Sequence, residues 1–182
     1  MPNFSGIWNL KEQVQAIAAG RWTGVTLSEL YAWGRNTQGQ LGDGTVVYRS
    51  SPVQVGSLTT WSQIAAGVNH TAAVKTDGTL WAWGQNTNGQ IGDGTVVRRS
   101  SPVQVGALTT WSQIAAGDTH TAAIKTDGTL WAWGSNGGGQ IGDGTVVNKS
   151  SPVQIGALTT WFRVAKGPRA SHTVAITQGQ TN

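Results

Sequence analysis

The chain has no cysteine, which excludes a disulfide framework and any thiolate zinc site and leaves its redox compartment open. Charge is sparse as well: 12 lysines and arginines stand against 8 aspartates and glutamates, a formal net charge of +4. No run of bases exceeds Arg98-Arg99, so the excess reads as solvated side chains, and nucleic acid is not an expected partner. No apolar run approaches the roughly 20 residues of a membrane helix. The opening MPNFSGIWNLKEQ lacks the basic start and apolar stretch of a secretory signal. A soluble protein is the expectation.

Catalytic motifs are absent too. There is no Gly-x-Ser-x-Gly elbow, no phosphate loop ending in Gly-Lys-Ser/Thr and no His-Glu-x-x-His. His70 and His120 recur at one position before Thr-Ala-Ala, while His172 follows a version shifted by two extra residues. A catalytic site is ordinarily unique, so recurring histidines read as strand-end residues with satisfied hydrogen bonds. Each Gly-Asp-Gly-Thr loop supplies one carboxylate, whereas calcium takes several oxygens. The expectation is a non-enzyme with no catalytic residue, no cofactor and no metal.

What the chain does have is glycine, at 26 residues, and tryptophan, at 10. Glycine, threonine and valine are poor helix formers, and this composition points to an all-β fold. The tryptophans fall into register: Trp33, Trp83 and Trp133 lie 50 apart, as do Trp61, Trp111 and Trp161, and Asp43, Asp93 and Asp143. Residues 51–100 and 101–150 differ at nine of fifty positions. A fixed period of this length signals a solenoid, propeller or array. Each unit holds four short strand candidates, WSQIAAG, HTAAVK, TLWAWG and SPVQV. Between the second and third lies Asp-Gly, a hairpin signal. The Ser-Pro pair suits the start of an edge strand.

Four strands per repeat of about 50 residues match a propeller blade better than a solenoid coil. The expected architecture is a β-propeller of four-stranded blades, about three and a half per chain. Its units are residues 14–60, 61–110 and 111–160, with a half unit at 161–176, inside a propeller region of 14–182 after a leader at 1–13. In LWAW, Trp81 and Trp83 share one face of the strand, and propeller blades bury both faces. The tryptophans are therefore expected in the core, against alanines such as Ala65, Ala66, Ala72 and Ala73 of a neighbouring blade. In GQIGDGT the glycines read as tight turns and the aspartate as a bond to nearby amides.

The combined pattern LWAWGxNxxGQxGDGT…SSPVQV…W…IAAGxxHTAA resembles the regulator of chromosome condensation repeat, over about residues 14 to 176. The resemblance implies a propeller, usually of seven blades. Its GDGT and RSSPVQV are closest in flavour to bacterial and phage versions, and FSGIWNLKEQVQA resembles openings of tailed-phage structural proteins. A virion or host-cytoplasm setting goes with that. The founding eukaryotic member exchanges nucleotide on a small GTPase through a wedge of its own loops. Nothing here matches the wedge, so exchange is not implied.

The internal differences collect at 68–69, 85, 87–88 and 98–99, positions read as loops. Divergence there fits a presenting surface, and it also fits drift at unconstrained loops. Arg35, Tyr48, Arg49, Arg98, Arg99 and Lys149 are the candidate ligand-binding residues, offering charge-assisted hydrogen bonds to carboxylate, sulfate or phosphate. The leading expectation is a non-enzymatic structural or recognition module with a protein or other ligand; the alternative is a multivalent glycan-binding lectin. Trp8, Trp161 and His172 are the candidate assembly residues. An incomplete last blade would leave strand edges open, so two copies are expected to join into one ring of about eight blade positions. A closed four-bladed monomer is the competing geometry.

Overall fold

Strands form where β-branched and aromatic residues run between glycine-rich turns, and no helix occurs among the described residues. The computed structural model describes residues 28–57, 60–165, 167 and 169–179. The leader, Trp8 and residues 14–27 lie outside them. In chain order the strands are β1 (Tyr31–Gly34), β2 (Arg49–Gln54), β3 (Trp61–Ala66), β4 (His70–Lys75), β5 (Leu80–Gly84) and β6 (Arg99–Gln104). They continue as β7 (Trp111–Ala116), β8 (His120–Lys125), β9 (Leu130–Gly134), β10 (Lys149–Gln154), β11 (Trp161–Val164) and β12 (Ala175–Thr177).

Two sheets are complete antiparallel blades, β3-β4-β5-β6 and β7-β8-β9-β10. They are flanked by two-stranded sheets, β1-β2 before them and β11-β12 after them. By repeat position, β1-β2 is the outer half of one blade and β11-β12 the inner half of another. Within a blade the four expected strands fall where their patterns placed them. The Asp-Gly turn closes β4 on β5 through Gly78 N–H donating to the Lys75 carbonyl. Pro102 does not open its strand. It sits inside β6, where the register jumps between the Ala82–Val103 and Gly84–Arg99 pairs, and a bulge on an outer strand tolerates its missing N–H.

The core lies between blades. Ala65, Ala72, Leu80 and Ala82 of the first whole blade cluster with Trp111, Ile114, Ala116, Ala123 and Trp133 of the second. Small residues on one face admit the large rings of the next, as expected for Trp83 and Trp133, whereas Trp81 and Trp131, expected in the core with them, are only half-buried at its margin. Ala66 departs from the expectation: it is exposed, whereas its counterpart Ala116 is buried, because the sheet beside β3 is the half blade β1-β2. Trp61 and Trp111 meet Trp83 and Trp133 edge to face, with centroids 5.8 and 6.1 Å apart. Along the innermost strands, the Gln63 side chain donates to the Ser112 carbonyl and that of Gln113 to the Phe162 carbonyl, tying each blade to the next.

Candidate recognition surface

The third and fourth strands of each blade are joined by a fourteen-residue loop, at 35–48, 85–98 and 135–148. An asparagine organises each. Asn86 is fully buried, and its amide donates to Asp93 Oδ1 at 3.1 Å and to the carbonyls of Thr95 and Val97 at 3.0 and 3.1 Å. Its Oδ1 accepts the Ile91 N–H at 3.0 Å. Asn36 and Asn136 make the same set with their own loops. One buried amide thus satisfies backbone groups that the loop would otherwise strand.

The aspartate belongs to this knot. Asp93 Oδ1 also accepts the Thr95 N–H and hydroxyl at 3.0 and 2.7 Å, and Arg99 pairs with Oδ2 at 2.7 Å. Arg49 pairs with Asp43 at 2.6 Å and Lys149 with Asp143 at 3.2 Å. Burial alone would raise the Asp43 and Asp93 carboxyls, yet the bonds from Thr45 and Arg49, and from Thr95 and Arg99, hold both below their ordinary value. Asp143, held first by the Thr145 hydroxyl, is lowered to about 2. Three of the six candidate ligand-binding residues, Arg49, Arg99 and Lys149, therefore have their charge engaged by the loop aspartate.

The other three are exposed on the rim. Arg35 donates to its neighbour Thr37, and Tyr48 stands open. Arg98 reaches the preceding loop, donating to the Thr37 carbonyl at 3.3 Å. Asn148, at the same repeat position, donates to Asn88 Oδ1 at 3.2 Å. The divergent positions 37, 88, 98 and 148 thus meet one another where successive loops touch. Beside them stand the pairs Val46-Val47, Val96-Val97 and Val146-Val147, all exposed. The rim is a row of apolar tips on buried polar knots, with a changing polar residue at each junction.

His70 and His120 each join one blade to the next. His70 opens β4, and its Nε2 lies 3.0 Å from the Thr121 hydroxyl, which itself donates to the Gln90 carbonyl at 2.8 Å. Having spent its proton there, Thr121 accepts, so His70 carries its hydrogen on Nε2. His120 and Thr173 repeat the pair at 3.0 Å. The expectation of satisfied histidines holds for half of each ring: both Nδ1 atoms are buried without a partner. Burial pushes the His70 pKa down to about 4 and lowers that of His120. Of the assembly candidates, Trp161 is half-buried at the start of β11 and His172 is exposed at a bend.

Two features were missed in reading the sequence. The asparagine knot could have been found from its strict recurrence at 36, 86 and 136. So could the lysines before each Asp-Gly turn. Lys75 and Lys125 are buried, with Nζ 3.6 and 3.5 Å above the rings of Trp81 and Trp131. Burial lowers both ammonium pKa values, partly offset by Asp77 and Asp127.

The regulator of chromosome condensation (RCC1) repeat model matches residues 28–74, 77–124 and 127–176, and a second model of the same repeat matches 61–90 and 111–140. No curated protein sequence matches the chain significantly. Among solved structures, it resembles Prp20p from Saccharomyces cerevisiae, described with its binding to Gsp1p and histones, at 22% identity and a TM-score of 0.69, covering 83% of this chain and 40% of that one. It is similarly like yeast RCC1 (Prp20) bound by Kap60, at 20% identity and a TM-score of 0.70, covering 83% and 39%. The chain spans about two-fifths of the length of these structures, and the likeness concerns the fold.

Proposed function

Since the chain belongs to the regulator of chromosome condensation repeat family, we propose that it is a non-enzymatic binding module whose recognition surface is the loop rim of its blades. The observation that carries this is the row of exposed valine pairs on buried asparagine knots. Apolar tips held rigidly lose little entropy on binding, and a polar residue that changes from Tyr48 to Arg98 to Asn148 supplies selectivity. A protein surface is the ligand class this suits. The partners named with the two yeast structures, Gsp1p, histones and Kap60, are likewise proteins.

Carbohydrate binding is the weaker reading. It needs an open aromatic face recurring from blade to blade, but Trp83 and Trp133 are buried, Trp81 and Trp131 each have a lysine over the ring, and the open Tyr31, Trp33 and Tyr48 all lie on the first half blade. A setting in a phage particle or bacterial surface protein, propeller units beginning at residue 14 and self-association into a closed ring are parts of the same proposal. Affinity capture with the wild-type chain and with a Val96→Asp, Val97→Asp, Arg98→Ala variant checks the rim. Proteins retained by the wild type and lost by the variant, at equal Tm, support it. Binding on a glycan array that survives the triple change contradicts it.

A further inference from the structure

The whole blades show what each requires of its neighbour. The Trp83 indole donates to the Gln40 carbonyl at 3.0 Å, and Trp133 to that of Gln90 at 3.0 Å. The rings lie so close to Gly42 and Gly92 that a Cβ there would stand 2.6 and 2.5 Å from the indole nitrogen. The same carbonyls accept the Thr71 and Thr121 hydroxyls. The third loop repeats the slot. The Gln140 carbonyl accepts the Thr173 hydroxyl at 2.7 Å, but among the described residues no indole reaches Gly142, where a Cβ would meet only Ile155 at 3.6 Å. Gly89 and Gly94 rest against Ser150 and Ser151, while nothing described lies near their counterparts Gly139 and Gly144.

The complement to this slot is on β1. It reads Tyr-Ala-Trp-Gly where β5 and β9 read Trp-Ala-Trp-Gly. Trp83 and Trp133 are 1% and 0% exposed, and Trp33 is 60% exposed. Gly34 has φ +104°, matching +105° at Gly84 and Gly134. At those two a Cβ would strike the backbone of Asn69 and His70 or of Thr119 and His120, whereas at Gly34 nothing is near. β1 already has the shape of a strand with a partner on its inner side. β12 has the shape of that partner, since Ala175 faces Val164 as Ala73 faces Ile64.

We propose that β1 and β2 of one copy complete the last blade of a second copy, with the Trp33 indole in the Gln140–Gly142 slot of that copy. The inference rests on the self-association proposed above and names its face. Thr71 faces Trp83, Ala72 faces Ala82 and Ala73 faces Trp81; by that register Thr173 faces Trp33, Val174 faces Ala32 and Ala175 faces Tyr31. Small Ala175 admits the Tyr31 ring, and Gly34 rests on the backbone at Ser171 and His172. Tyr31, Trp33, Val174 and Ile176, all exposed in the single chain, are covered together. Counting the described residues, two copies joined at both ends make six blades, four whole and two shared, fewer than the about eight expected from the sequence and within the four to eight that propellers use. The rival for the same edge of β1 is this chain's own segment 14–27, which lies outside the described residues and whose Ile-Ala-Ala-Gly repeats that of residues 64–67.

The absence of cysteine makes the test clean. Ala32→Cys and Val174→Cys are placed in separate, differently tagged full-length chains, mixed and treated with a short bismaleimide. The expected result is a crosslinked heterodimer, with an uncrosslinked wild-type mass near twice 19.0 kDa by light scattering. Trp33→Ala weakens association roughly 30-fold or more while leaving the Tm of the dilute, unassociated chain unchanged. A dimer that survives Trp33→Ala and gives no 32–174 link overturns the strand exchange but leaves self-association standing. A mass of 19.0 kDa at all micromolar concentrations overturns both.

Discussion

Trp133 and Trp33 occupy the same repeat position in nearly the same strand, and one is sealed while the other stands in solvent. The local sequence does not account for the difference, since both precede glycine and follow alanine. What differs is the neighbourhood: Trp133 has β8 beside it and the Gln90 loop beneath it, and β1 has neither among the described residues. In this fold the burial of a blade's key residue is a property of the next sheet, so stability is carried at junctions. The two whole blades share one such junction, and the half blades at either side each present one side of another.

Deleting the ring sharpens this contrast most. Trp133→Ala is expected to cost about 3–5 kcal/mol in denaturant unfolding, and Trp33→Ala in the dilute chain less than about 0.5 kcal/mol. Equal losses would break the comparison. Acid comes next. His70 is neutral in the folded chain with its pKa lowered from 6.5 to about 4, so the unfolded chain binds protons more readily. Its stabilising effect is complete above pH 6.5 and is lost as pH falls towards 4, by an amount of order 3 kcal/mol. A His70→Gln, His120→Gln double variant should flatten a Tm–pH profile over that window. Smallest is the loop knot. Asn86→Ala strands the buried Ile91 N–H and is expected to cost about 2–3 kcal/mol. Asn136→Ala should cost less, because among the described residues its loop has no outer strands of a following blade seated on it, where Gly94 N–H bonds the Ser150 carbonyl for the middle loop.

Much of the fold was legible because the repeat does the reading. Fifty-residue spacing, period-two alternation in Leu-Trp-Ala-Trp and the Asp-Gly turn together place the strands, the blade and the buried face. The loop chemistry was less legible. Asn86 looks like an ordinary loop residue until the chain folds back and brings residues 91, 93, 95 and 97 around one amide. Arg49, Arg99 and Lys149 read as free charges, although each follows its aspartate by six residues and pairs with it. Lys75 lies on a strand whose pattern says nothing of the Trp81 face above it, because that face arrives from β5. Contacts set by alternation show in sequence; contacts set by loop closure do not.

Hydrogen exchange at the tryptophan indoles, followed by NMR across a dilution series, tests the central claim most directly. Trp83 and Trp133 should stay protected at every concentration, their N–H groups bonded to Gln40 and Gln90. Trp33 should exchange freely when dilute and become protected as copies associate. Protection of Trp33 that ignores dilution, or exchange at Trp83 and Trp133 as fast as at Trp33, would contradict the account.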